Sequence, residues 1–377
     1  MTAKEKRRHL AWLLELTGIP TAAGCESRVE QWVQQWCKRR EDVRVRSDRW
    51  GNLHITQRRR SSRNPIFITA HLDHPAFVVR NVLDSRTIEL EFRGGVMDPY
   101  FVGGRIEVFD SYSGVQNARI QSLQVDAEPF KRFTATVRRT ASIAPGDIAR
   151  WRLPAPTVKN GLLHAPACDD LAGAAAALSA LDTIRRMPRL GNVGILLTKA
   201  EEIGFVGAIA AASNKTIPKN ARLLCLETSR AFPESPIGAG PILRVGDKTS
   251  VFGPELTNRI AEIMQAHTRD NPRFSWQRKL MPGGTCEATA FCNYGYLSTC
   301  LCLALGNYHN MHDIDGVAAG KRPAKIAPEV ISIDDYHGLV EMLVVTCQHL
   351  GSATSPVMRR SLEKRLRKFE RLLQSSS

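Results

Sequence analysis

Histidines and carboxylates recur in this chain at the places where apolar runs stop. Ile66-Phe67-Ile68-Thr69-Ala70 runs directly into His71-Leu72-Asp73, and Val193 to Thr198 leads to Glu201-Glu202. Leu223 to Leu226 ends at Glu227, Leu301 to Leu305 leads to His309 and His312, and Asp169-Asp170 stands before a helical pattern that begins at Leu171. Taken singly, each has an ordinary explanation. Asp169-Asp170 suits a helix cap or an acidic first turn, Glu201-Glu202 suits a solvated charge pair, and a loop histidine needs no function. Repeated placement calls for a shared cause, because gathered carboxylates repel each other unless a cation neutralises them. A divalent metal centre supplies that cation, and its usual chemistry is the activation of water. Two other hydrolytic designs find no support. No His-Glu-x-x-His is present, and neither Cys168 nor Cys286 has a nucleophile-elbow sequence around it.

The elements that would have to position these residues can be read from periodicity. Leu10 to Leu16 reads as a short helix stopped near Gly18-Ile19-Pro20. Glu26 to Arg39 reads as a second, with Val29, Trp32, Val33 and Trp36 on one side. Val43-Arg44-Val45 and Leu53-His54-Ile55 flank a turn at Asp48 to Gly51, and Ile66 to Ala70 suits a buried strand. From Phe77 to Thr157 the texture changes. Short alternating stretches at Thr87 to Phe92, Arg105 to Phe109 and Thr134 to Arg138 are punctuated by Gly94-Gly95, Gly103-Gly104 and Pro145-Gly146, which reads as a small all-β barrel or sandwich. Beyond it strand-like and helical runs alternate: Leu171 to Ile184, Val193 to Leu197, Ile203 to Ala212, Leu223 to Leu226, Thr257 to Ala266, Thr299 to Leu305 and Tyr336 to His349. Alternation of this kind is α/β architecture. The economical division is a catalytic α/β domain, 1–76 plus 158–377, interrupted by a β-rich domain over 77–157. Open α/β sheets bind ligands beyond the carboxyl ends of their strands, where the candidate residues stand.

Composition narrows the class. At 377 residues the chain accommodates two domains, or one large domain with an insertion, and a hydrophobic fraction of 43% is ordinary for a globular protein. The start, MTAKEKRRHL, lacks the apolar segment of a signal peptide, and no run reaches about 18 apolar residues. The expectation is a cytoplasmic protein with no membrane span. The 9 cysteines form no repeated CxxC framework and fit a reducing compartment. Cys300-x-Cys302 reads as one strand with alternating faces rather than half a zinc site. A formal charge of +15 hints at nucleic acid or another anionic partner. Its excess, however, lies in clusters, at Lys4 to Arg8, Arg58 to Arg63 and Arg359 to Arg371, with no recognition motif beside them. Nucleic acid is therefore not the expected partner. In the tail, 353–377, Leu362, Leu366, Phe369 and Leu373 recur at helical spacing, so it reads as a basic amphipathic helix lying on its own domain or on a neighbouring subunit.

Several stretches gain meaning in combination: Leu16-Thr17-Gly18-Ile19-Pro20, Asp48-Arg49-Trp50-Gly51-Asn52-Leu53, Ala70-His71-Leu72-Asp73, Asp169-Asp170-Leu171-Ala172-Gly173, Glu201-Glu202-Ile203-Gly204-Phe205-Val206-Gly207-Ala208, Gly283-Gly284-Thr285 and Gly306-Asn307-Tyr308-His309. Together they resemble the co-catalytic metallopeptidases, most closely the M42 family of glutamyl-aminopeptidase and deblocking-aminopeptidase type. The resemblance implies a mixed-sheet zinc-exopeptidase fold, phosphorylase/hydrolase-like, with an inserted small β-barrel. It also implies two divalent ions that activate water to release N-terminal residues from short peptides. By the same resemblance His71 and Glu227 bind one ion, Glu202 and His309 the other, and Asp169 bridges them. Asp170 shapes the turn, Asp73 hydrogen-bonds the second ring nitrogen of His71, and Glu201 is the general base. Zinc suits such a His/carboxylate cage, and cobalt or manganese could occupy it.

Departures from the family pattern leave some choices open. Glu227 stands where Asp is usual, His74-Pro75-Ala76 replaces Glu-x-Gly, and Cys286-Glu287 follows Gly283-Gly284-Thr285 where Asp is usual. Asn307-Tyr308-His309-Asn310 replaces Arg-Tyr-x-His-Ser, so His312 competes with His309 for the last ligand position, whereas His337 looks helical and remote. A related amidohydrolase or carboxypeptidase acting on acyl-amino acids or dipeptides is the runner-up, with Arg93, Arg105 and Arg244 as possible carboxylate anchors. An inactive binding protein of the same fold is a third reading, and retention of His71, Asp169, Glu201, Glu202 and Glu227 counts against it. Related enzymes commonly form large, often tetrahedral oligomers that admit short peptides, so a homo-oligomer is expected.

Overall fold

The computed structural model describes residues 1–58, 63–101, 103–110, 114–124, 128–351 and 357–374. Its frame is an eight-stranded mixed sheet in the order Val43–Ser47, Leu53–Gln57, Val193–Thr198, Ile66–His71, Arg222–Arg230, Leu297–Leu305, Ile242–Gly246, Gln277–Leu280. Its centre is parallel: Val193–Thr198 and Arg222–Arg230 flank Ile66–His71, and Leu297–Leu305 pairs with Arg222–Arg230. Strands buried on both faces need apolar residues at every position, which is why these runs are continuous rather than alternating. Successive residues serve opposite faces. Ile66, Ile68 and Ala70 join the core under the helices Ala3–Leu16, Leu171–Ile184 and Ile333–His349, while Phe67 joins the core under Val206–Ser213 and Glu287–Asn293.

The barrel closes from Ala76–Val82, Thr87–Arg93, Arg132–Val137, Val115–Gln124, Arg105–Phe109 and Ile148–Trp151, all antiparallel. Burial alternates along Thr87–Arg93 as a half-buried strand requires. Its interior is aromatic, with Phe77 in edge-to-face contact with Phe92 at 4.8 Å and with Trp151 at 5.0 Å. Closure removes the sheet edges that an isolated meander would expose.

Some expectations shift. The first helix begins at Ala3, not Leu10, because Thr2 and Glu5 form a capping box that apolar periodicity cannot reveal. The helix expected from Ile203 starts at Val206, because Gly204 and Phe205 take positive φ. Cys300 and Cys302 lie on the same face, as residues two apart in a strand must, and all 9 cysteines are free. The tail forms a helix, Val357–Gln374, but Leu362, Leu366 and Phe369 are exposed instead of lying on the protein's own surface. Of the basic cluster Arg58 to Arg63, positions 59–62 lie outside the described residues, as do 353–356 and 375–377 of the tail. No helix among the described residues is long and apolar enough to cross a membrane.

Candidate metal centre

Parallel register brings the candidate residues to the carboxyl ends of the sheet's central strands. Thr198 pairs with His71 at the ends of their strands, so the following Glu201-Glu202 turn stands beside His71. Glu227 lies opposite Cys302 in the next pair, and Leu297–Leu305 continues into the turn that carries His309. Asp169 enters from the sheet's helix side. Asp170 caps Leu171–Ile184 by accepting from Gly173 N at 3.2 Å, and the peptide between the two aspartates is cis.

Asp169 sits between two histidines. Its Oδ1 is 3.3 Å from His71 Nε2, and its Oδ2 is 3.5 Å from His309 Nε2. Glu227 Oε1 stands 3.9 Å from His71 Nε2, and Glu202 Oε2 stands 3.3 Å from His309 Nε2. The donor atoms of His71, Asp169 and Glu227, and those of Asp169, Glu202 and His309, each fall within 4.8 Å of one another. Glu201 completes a third such group with His71 and Glu202. Most of these separations exceed a good hydrogen bond. They resemble the edges of a coordination shell, since ligands about 2.1 Å from a tetrahedral ion stand about 3.4 Å apart. His71 Nε2, Asp169 Oδ1 and Glu202 Oε1 are also buried with no hydrogen-bond partner. Orphaned donors of the right chemistry fit a metal better than they fit each other.

The far ring nitrogens are held by backbone. His71 Nδ1 donates to the Asp73 carbonyl at 3.1 Å, and His309 Nδ1 donates to the Gly95 carbonyl of the barrel at 2.7 Å. Each contact leaves Nε2 as the lone-pair nitrogen facing the cluster. The Asp73 carboxylate does more than expected. It stands 3.5 Å from His71 Nδ1 but accepts from the backbone amides of Glu201 at 2.9 Å and Glu202 at 3.0 Å. Its first task is to pin the glutamate turn. That turn also explains the Gly-x-x-Gly spacing: Gly204 has φ +110°, and a Cβ on Gly207 would collide with the Lys199 backbone.

Burial and the neighbouring Glu202, Asp73 and Glu287 push the Glu201 carboxyl well above the usual range, against the opposing pull of His71. Burial and the nearby Asp169 likewise raise Glu227. Such a cluster retains protons until a cation enters.

Of the competing candidates, His309 faces the centre. His312 is exposed, with its Nδ1 3.0 Å from Asn307 Oδ1. His337 is buried near Lys6 and His9, and its pKa is lowered to about 4, chiefly by burial. Arg93 pairs with Glu91 and donates to Ala23 O, and Arg105 is exposed on the barrel. Arg244 lines a small pocket beside Glu227, together with Arg230, Phe232, Met281, Gly284 and Tyr308. The sequence reading missed Glu329, whose carboxylate accepts from the amides of Cys168, Asp169 and His309 at 2.6, 3.0 and 2.8 Å. It also missed the role of His74, whose Nδ1 donates to the Asp169 carbonyl at 2.6 Å, and that of Glu26, which accepts from Ala200 N at 3.0 Å.

Comparison with known proteins identifies the family and the fold. The family model described as M42 glutamyl aminopeptidase matches residues 51–322. A search of curated proteins returns no match. Among solved structures, the TET1 peptidase of Pyrococcus horikoshii, which assembles into a tetrahedron or a large octahedral shell, is 18% identical over 90% of this chain and 99% of its own, with a TM-score of 0.72. An aminopeptidase from Desulfurococcus kamchatkensis is 18% identical over 91% of this chain and 95% of its own, with a TM-score of 0.71. A TET aminopeptidase from a marine sediment archaeon of the Thaumarchaeota is 19% identical over 91% and 97%, with a TM-score of 0.72. These likenesses share the fold. The family match spans the stretch from Gly51 to Arg322, which holds every candidate ligand, and the chain belongs to the M42 glutamyl aminopeptidase family of metal-dependent peptidases acting at peptide N-termini.

Proposed function

We propose that this aminopeptidase acts on short peptides through two divalent ions, zinc in the first instance, held by His71, Asp169 and Glu227 and by Asp169, Glu202 and His309. The observation that carries the reading is the sharing of Asp169 between two His/carboxylate sets, in which buried His71 Nε2, Asp169 Oδ1 and Glu202 Oε1 lack hydrogen-bond partners. Cations bound there would acidify a water, polarise the scissile carbonyl and anchor the substrate's free amine. Glu201 takes the proton from the attacking water and returns it to the departing amine, a task suited to a buried carboxyl whose pKa lies above its ordinary value. Asp73 keeps Glu201 and Glu202 turned inward through their amides.

The cavity beside Glu227 receives the first side chain in this reading. Arg244 is 2% exposed, its Nε has no hydrogen-bond partner, and its Nη1 donates to Ser229 Oγ at 2.9 Å. A permanently charged guanidinium in that position favours an acidic side chain, in keeping with the family's description. Arg244→Met should lower kcat/KM for glutamyl and aspartyl substrates about tenfold or more relative to leucyl ones. An unchanged ratio would remove the side-chain assignment.

The fold's division into a catalytic unit, 1–76 plus 158–377, and an inserted unit, 77–157, belongs to the same reading. So do homo-oligomeric assembly, which the assembled TET relative supports, and a cytoplasmic setting, which the free cysteines support. The test is a hydrolysis screen of amino-acid amides, free peptides, N-blocked peptides and N-acyl amino acids, using metal-stripped protein reloaded with zinc, cobalt or manganese. Cleavage confined to free-amine substrates is expected. Turnover that requires a blocked amine or a free carboxylate would sink the proposal. Glu201→Gln should lose a factor of about 10²–10⁴ in kcat while keeping its metal content.

A further inference from the structure

The C-terminal helix Val357–Gln374 carries a feature that the hydrolytic reading does not use. Leu362, Leu366 and Phe369 are 56%, 55% and 45% exposed, while large apolar side chains elsewhere in the helices are mostly buried. Their spacing is four residues, then three, and the sequence continues it with Leu373 four residues on. Alternating fours and threes is the a/d repeat of a coiled coil. At 3.6 residues per turn these positions fall within an arc of about 60°. Met358 and Leu372 flank this seam on one side and widen the apolar face to about 120°.

The charges choose the occupant. With Leu366 at an a position, Leu362 and Phe369 occupy d, and both acidic residues of the helix, Glu363 and Glu370, occupy e. Arg365 occupies g; Arg360, Lys364, Arg367, Lys368 and Arg371 take the outer positions b, f, b, c and f, and Arg359 occupies the a position one heptad before Leu366. In a parallel pair, each g residue faces the e residue of the next heptad on the partner helix. Arg365 of one copy therefore meets Glu370 of the other, twice by symmetry. An antiparallel pair would set glutamate against glutamate and arginine against arginine. An anionic lipid surface would meet Glu363 and Glu370 at the border of the seam.

We infer that this helix pairs in parallel with the same helix of a second copy of the chain, joining subunits through an element separate from the metal centre. The seam is short, so the pair forms at the local concentration that a subunit assembly provides.

The test uses full-length, metal-loaded protein with Leu366→Cys, and Lys364→Cys as the outward-facing control. In-register pairing should form an intermolecular disulfide through position 366 on the order of a hundredfold faster than through position 364, because pairing raises the local thiol concentration into the millimolar range. Arg365→Glu or Glu370→Arg added to Leu366→Cys should slow cross-linking, and the combined exchange should restore it. Peptidase activity serves as the folding control. Equal cross-linking at positions 366 and 364 would overturn the inference, as would failure of the combined exchange to restore the rate. So would co-sedimentation of the wild type with phosphatidylserine vesicles that Leu366→Cys abolishes, because the seam would then be covered by lipid.

Discussion

Both carboxylate oxygens of Glu329 are occupied by backbone amides, those of Cys168 and Asp169 on one oxygen and that of His309 on the other. A group that faces neither cavity nor solvent thus ties the bridging aspartate to the last histidine. Glu329→Gln keeps the shape, but it removes the charge and replaces one acceptor with a donor facing an amide. Metal affinity should fall about 10–100-fold with little loss of helix or sheet signal, measurable by competition with a chromophoric chelator. Unchanged affinity would show that the two loops hold themselves. Nothing in the sequence marked Glu329: it stands in Ala327-Pro328-Glu329, twenty residues beyond His309, where no ligand spacing points to it. His71, Asp169, Glu202 and Glu227 were legible because apolar strands end beside them. His309 and His312 could not be separated, because which one turns inward depends on positive φ at Asn307, His309 and Asn310. Asp73 was found as the partner of His71, but its bonds to the amides of Glu201 and Glu202 were not, since sequence does not say which amides a carboxylate will meet.

At the scale of elements, the parallel strands and the alanine-rich helix Leu171–Ile184 were the plainest to read, because burial on every side leaves only apolar residues. Less visible was how the N-terminal helix docks on Leu171–Ile184. Asp182, with its side chain 2% exposed, accepts from Arg8, Arg40, Arg185 and Arg186 at 2.5 to 3.3 Å. These four arginines are therefore structural rather than an offer to a nucleic acid. Burial alone would raise the Asp182 carboxyl, but His9, its Nε2 3.8 Å away, and the charges of Arg186, Arg8 and Arg185 hold it well below its ordinary value. A depressed folded-state pKa means that the unfolded chain binds the proton more readily. The carboxylate's contribution is therefore complete above the unfolded value, about pH 4, and is lost progressively as pH falls below it. Asp182→Asn strands several guanidinium groups around a neutral amide and should cost about 3 kcal/mol at neutral pH. Urea unfolding of the two proteins should converge as pH is lowered from 5 towards 2. A constant difference over that range would mean that packing, not charge, accounts for the loss.

For the whole molecule, the centre is also a joint between sheet and barrel. His309 donates to Gly95 of the barrel, Tyr100 Oη donates to the His312 carbonyl at 2.7 Å, and Met311 and Val317 belong to the barrel's own core. Glu202 stands 3.3 Å from His309, whose other ring nitrogen is bonded to the barrel. Without cations, the buried cluster of Asp169, Glu201, Glu202 and Glu227 is left with retained protons and two imidazoles, and the link that His309 makes between Glu202 and the barrel lacks the ion that completes it. Metal removal should then do more than take away the roughly 4 kcal/mol of stability that a ligand at a thousandfold excess over its Kd contributes. Hydrogen exchange should rise locally, over residues 94–101 and 306–317, while Ile66–His71 and Thr87–Arg93 stay protected. Zinc should reverse the change, and His309→Ala should show it even with zinc present, because the barrel-side ligand is gone. Uniform deprotection across the barrel and the sheet would mean that the ions stabilise the fold as a whole and that the joint holds without them.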